Sequence, residues 1–220
     1  MKKRVRKLCK RYKMQVLQSI FLLSQKDIDE ITMHVLPLKK GDELLVESNN
    51  PDDPQIAMSL ANDVYFEQGY ASTAIFLLNI VEYGKNYLRK DSYIYPALFC
   101  LRMYLEIIMK LILFNYGINI KGNGHKLMNS WKQVKANIEI EEGYEQVETV
   151  EKLLSEIDRF DPMATAFRYP KILNDQCNKS QTDRGGMFIN IRILRERFLQ
   201  LYVFFDGLYN QSIISQERND

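Results

Sequence analysis

The chain has 220 residues, 46% of them hydrophobic and 26% charged, and a net charge of +2. These proportions belong to an ordinary soluble globular protein, and the length suits one domain with an appended N-terminal element. The near-neutral total hides two uneven stretches, so it excludes no charged partner: residues 2–13 hold eight Lys or Arg and no acid, whereas residues 139–158 are rich in Glu and Asp.

The three cysteines, Cys9, Cys100 and Cys177, are far apart and make no metal-ligand spacing. They read as free thiols in a reducing compartment, and no cofactor or metal is expected. The basic N-terminus is followed by an apolar run too short for a signal peptide. The apolar helix from Tyr93 is long enough to span a bilayer, but three charges at its middle would be costly there. A cytoplasmic location is the expectation.

Residues 5–23 fit either a continuous helix or a helix followed by a strand, and Ser24 opens a weak helix-start signal. Strand-like alternation is confined to residues 14–23 and 42–47. Glu47 to Pro54, ESNNPDDP, is the clearest loop in the chain and divides a basic N-terminal appendage, 1–53, from the main body, 54–220. From Pro54 the pattern is helical. Ile56, Leu60, Val64, Phe66 and Tyr70 form an apolar face, and Ile75, Leu78, Val81 and Tyr83 continue it. A break is expected at Lys90-Asp91-Ser92, with Pro96 tolerated in the first turn of the next helix. That helix should end near Gly117, which fits a C-cap. A flexible Gly122-Asn123-Gly124 turn leads to a shorter helix from His125 to Ala136. Tyr144 to Phe160 is amphipathic, with Val147, Val150, Leu154 and Ile157 opposite its acids. Residues 161–185 read as loop, and a final helix covers Met187 to Ile214. The fold class is all-α, a bundle of five or six helices.

The feature of most interest is Tyr95 to Leu111, YPALFCLRMYLEIIMKL. Its only charges are Arg102, Glu106 and Lys110, four residues apart and therefore on one stripe. The stripe is either a solvent strip or a buried cluster that orients a binding or reactive group; the apolar helix around it favours a buried, paired Glu106. His125, one of two histidines, follows the glycine turn and precedes Lys126. It is either a cap or surface residue or a group projecting into a cleft. Arg168 and Tyr169 lie in the long loop as FRYP, where Arg168 either pairs with the acidic helix upstream or serves a site. Lys2, Lys3, Arg4, Arg6, Lys7, Lys10 and Arg11, interleaved with Val5, Leu8 and Tyr12, suit a nucleic-acid backbone or an acidic protein patch. Phosphate loops, dinucleotide fingerprints, HExxH spacing and Ser–His–Asp or Cys–His sets are absent from the sequence.

Four segments in order, FEQGYASTAIFLL, IYPALFCLRMYLEIIMKLIL, GHKLMNSWKQV and DPMATAFRYP, resemble bacterial proteins with a HEPN-like helical fold. The resemblance covers roughly residues 60–210 and leaves out the first 50. It implies a helical bundle, often dimeric, of antiviral defence or toxin–antitoxin systems. Many members are metal-independent ribonucleases with an Arg followed after four to six residues by His. This chain departs from that pattern: neither His34 nor His125 has such an arginine upstream, and Met103 stands where the related group often has histidine.

Two functions follow. The first is a noncatalytic module that binds nucleic acid or a protein partner. The second is a metal-independent endoribonuclease with a nonlocal site, in which Arg102 and Arg168 hold a phosphate, His125 is general acid or base, and Glu106 and Lys110 support them with Lys126 and Tyr169 nearby. In either case His125 and Arg168 are expected to approach Arg102 in a common pocket. A homodimer is also expected, from the resemblance and from the aromatic-rich final helix.

Overall fold

The computed structural model describes residues 63–84, 87–118, 125–138, 140, 143–162, 164–167 and 189–217. The N-terminal appendage, its boundary and its seven candidate cations lie outside them, as do His34, Arg168 and Tyr169. The described residues form five helices and no strand: α1 (Asp63–Tyr83), α2 (Tyr87–Asn115), α3 (Leu127–Asn137), α4 (Tyr144–Phe160) and α5 (Ile191–Glu217). The body is an all-α bundle. None of the described helices is long and apolar enough to cross a membrane.

α2 is the central helix. It packs on α1, α3 and α5, while α1 also meets α5 and α3 meets α4. Its buried residues include Ala97, Leu101, Leu105, Ile108, Met109 and Ile112, at the 3–4 residue spacing of an inward face. Against them α1 lays the stripe Glu67, Ala71, Ala74, Leu78 and Val81, whose two alanines allow a close approach. On the α3–α5 side, Trp131 meets the rings of Phe204 and Phe205 edge-on, with centroids 6.1 and 6.0 Å away.

Helix boundaries differ from the sequence expectation at the α1–α2 break, at the start of α3 and at the start of α5, which begins at Ile191 rather than Met187. α1 runs unbroken through Gly69, and the break falls at Gly84 rather than at Lys90-Asp91-Ser92. Gly84 N–H donates to the Ile80 carbonyl at 2.8 Å, and a Cβ at residue 84 would stand 2.5 Å from that oxygen, so only glycine fits. Asp91 and Ser92 instead face solvent on α2, which lets polar residues sit inside a helix. Pro96 therefore lies well within α2 rather than in its first turn. α3 begins at Leu127, so His125 occupies the turn before it.

The other end of α2 follows the expectation. Gly117 adopts a left-handed φ of 69°. Ile118 N–H donates to the Leu113 carbonyl at 2.9 Å and Gly117 N–H to that of Phe114 at 2.8 Å, the paired bonds of a Schellman cap. α4 spans the expected residues, with Val150 and Leu154 buried and its glutamates turned outward.

Candidate functional site

The charged stripe on α2 is a buried polar knot. Arg102 has 0% of its surface exposed, and Glu106 is buried beside it. A guanidinium in that position needs every donor directed at an acceptor. Nη1 donates to Glu106 Oε2 at 3.0 Å. Nε donates to the backbone carbonyl of Asp161 at 2.8 Å, and Nη2 donates to the carbonyl of His125. Two further carboxylates stand close: Asp161 Oδ2 is 3.6 Å from Nε and Asp158 Oδ1 3.9 Å from Nη2. One side chain on α2 thus ties down the turn before α3 and the end of α4.

Glu106 carries the knot toward the surface. Its Oε1 accepts from Lys110 Nζ at 2.6 Å and from His125 Nδ1 at 2.9 Å. Burial works to raise this carboxyl's pKa, but the hydrogen bonds and charges of Lys110 and His125 outweigh it and hold Glu106 below the ordinary value of 4.5. An ionised carboxylate only accepts hydrogen bonds, so the His125 proton sits on Nδ1 and Nε2 is the nitrogen left available. The His125 side chain is 55% exposed and that of Lys110 35%, so both can meet a ligand from solvent. Lys126, next in the chain, is exposed.

Asp158 and Asp161 organise the segments that surround Arg102. Asp158 Oδ1 accepts the Leu127 N–H at 3.0 Å, supplying to the start of α3 the cap that Lys126 lacks. Asp161 Oδ1 accepts the N–H groups of Thr165 at 2.6 Å and Ala166 at 2.9 Å, which folds the chain after α4 into a tight turn. Ala164 in that turn is buried and holds a left-handed φ of 54°, a conformation that costs a non-glycine residue about 1–2 kcal/mol.

The structure therefore brings His125, Glu106, Lys110 and Arg102 together. Their common meeting point is Glu106; Arg168, expected beside them, lies outside the described residues. A cavity of about 470 Å³ lies elsewhere, between α4 and α5, lined among others by Glu145, Thr149, Leu153, Arg197, Gln200 and Phe204. Asp158 and Asp161 were missed as members of the site. The available signal was their position: both close an amphipathic helix, and Asp161 precedes a proline in a turn-like run. Among the described residues no cluster of His, Cys, Asp and Glu has the arrangement of a metal site. Comparison of the chain with protein-family models, curated proteins and solved structures returns no match.

Proposed function

We propose that the protein is a HEPN-like module of a prokaryotic defence or toxin–antitoxin system that binds nucleic acid or a protein partner without cutting RNA. The observation that carries this reading is Arg102. Its guanidinium is sealed from solvent and committed to Glu106, Asp161 and the His125 carbonyl, so it has no free fork for a phosphate. Exposed Lys126 and half-buried Lys110 beside the knot offer positive charge to an anionic partner, and the basic residues Lys2 to Arg11 of the sequence are separate candidates for the same role. Exposed Ile193, Val203 and Ile214 on α5 support a homodimer.

A second reading is favoured by one observation. His125 is exposed and oriented through Nδ1 by a buried carboxylate, as in a general base held by a second group. It would make the protein a ribonuclease in which Arg102 positions His125 and does not touch RNA.

One experiment separates the two. Labelled single-stranded RNA is incubated with wild type, His125→Ala, and a variant with Lys2, Lys3, Arg4, Arg6, Lys7, Lys10 and Arg11 changed to Gln. The binding module retards RNA without cleaving it, keeps doing so as His125→Ala, and loses affinity in the Gln variant. Cleavage by wild type that disappears in His125→Ala establishes the ribonuclease. No retardation and no cleavage by any of them sinks both nucleic-acid readings and leaves a protein partner.

A further inference from the structure

Glu67 lies on the inward stripe of α1, one turn before Ala71, and is 6% exposed. Unlike Glu106 and Glu82, it has no cation paired with it among the described residues. The arginines of α5 that do meet α1, Arg192 and Arg195, contact Glu82 at the far end of the helix, at 3.3 and 2.5 Å. Among the described residues, the titratable groups that act on Glu67 or feel its charge are one acid and three phenols. From α2 comes Tyr104, fully buried, whose hydroxyl donates to the Tyr202 carbonyl at 3.4 Å. From α5 come Tyr202, Asp206 and Tyr209, spaced to fall on one face of that helix. On α1 itself the titratable neighbours in sequence are Tyr65, Tyr70 and, four residues before Glu67, the acid Asp63.

A carboxylate in that setting meets desolvation and a like charge, with no cation paired to it among the described residues, and each of these favours the neutral acid. We propose that Glu67 is a proton-operated latch between α1 and the α2–α5 pair: with its proton on, the carboxyl fits the apolar seam, and its ionisation loosens α1 there. Burial first and the Asp206 charge second push the Glu67 carboxyl up from 4.5 to about 7. The three phenols are held above their ordinary range, chiefly by burial and further by these same acids, so near neutrality they stay uncharged and add no negative charge beside Glu67.

When the seam opens, Glu67 regains ordinary solvation and its ordinary pKa. Opening is therefore coupled to release of one proton between pH 4.5 and about 7. Across that window the opening equilibrium should rise by up to about tenfold per pH unit and level off above it.

The test is hydrogen exchange followed by mass spectrometry on the full chain from pH 5 to pH 8.5, corrected for intrinsic exchange, in wild type and in Glu67→Gln. The glutamine keeps the shape and removes the charge. Wild-type peptides from 66–80 should open progressively with pH and level off near neutrality, while the same peptides in Glu67→Gln stay flat and closed. Equal pH responses in the two proteins, or a variant more open than wild type at pH 8.5, would overturn the latch. Should Glu67→Gln not fold, carboxyl carbon NMR of the wild type decides. A Glu67 resonance that titrates near neutrality upholds the proposal, and one that titrates in the ordinary glutamate range ends it.

Discussion

Two glutamates are buried in this bundle, Glu106 on α2 and Glu67 on α1, and they are opposite cases. Glu106 is surrounded by Arg102, Lys110 and His125, and its carboxyl is held below the ordinary range despite burial. Glu67 is equally sheltered but faces Asp206 and three phenols, and its carboxyl is pushed up to about 7. The same residue type, buried in the same fold, is a fixed charge in one place and a neutral acid in the other. Burial sets only the size of what is at stake; the neighbouring charges decide the sign.

The sharpest way to break this contrast is Glu106→Ala. It leaves the Arg102 guanidinium inside the protein without its carboxylate partner, and should cost about 3–5 kcal/mol in urea unfolding at pH 7. A loss below about 1 kcal/mol would mean that Asp158 and Asp161 alone satisfy Arg102. Acid should act in the same direction. Because the folded-state pKa of Glu106 is depressed, its contribution is present above 4.5 and is lost as pH falls through the lower folded value. Glu106→Gln should flatten that part of the pH–stability curve.

Glu67→Gln should do the reverse and stabilise the protein. Its folded-state pKa is raised, so the ionised form is penalised in the fold, and stability falls as pH rises from 4.5 to about 7. At pH 8 the glutamine variant should gain roughly 1–3 kcal/mol, and at pH 4 almost nothing. A destabilised variant at pH 8 would show that Glu67 has a partner and would make the two glutamates alike.

Two smaller effects sharpen the boundary of the knot. Asp158→Ala removes the cap on the Leu127 N–H and should cost about 1 kcal/mol, read as a lower midpoint in thermal denaturation. His125→Ala should change stability by no more than about 0.5 kcal/mol, since its exposed ring contributes one of several bonds to Glu106. A large effect there would make His125 a structural member and weaken every reading in which it meets a ligand.

How much of this was legible from residues alone depended on sequence separation. The Arg102–Glu106–Lys110 ladder was readable because it is local: four-residue spacing on an apolar helix determines both the stripe and its pairing. The gathering of His125 onto Glu106 was expected only as a meeting near Arg102, because its placement depends on how α3 docks. Asp158 and Asp161 read as an ordinary surface acid and a loop residue; their roles arise from contacts that join α2 and the start of α3 to the end of α4. On α1 the reading placed Leu78 and Val81 correctly on the buried face and Phe66 wrongly. Phe66 and Tyr70 looked like the inward pair, yet Phe66 is 42% exposed and Glu67 takes the buried register. The aligned small residues Ala71 and Ala74 decide that rotation, because close contact with α2 outweighs the burial of one phenyl ring. The α1–α2 break was misplaced for a similar reason: Lys90-Asp91-Ser92 is polar enough for a loop, but Gly84 alone can make the close backbone contact that ends α1.

The bonds of Arg102 also have a consequence for the order in which the chain assembles. They reach partners 4, 23 and 59 residues away. The nearest forms with the helix itself, whereas the farthest must wait until α4 has docked, since long loops close at greater entropic cost. The guanidinium is thus buried in stages and becomes fully satisfied only in the last one. A knot completed late contributes little to the folding transition state and much to the barrier against unfolding. Arg102→Gln should therefore leave the folding limb of a chevron nearly unchanged and raise the unfolding limb, which makes this one side chain a determinant of how long the folded molecule persists.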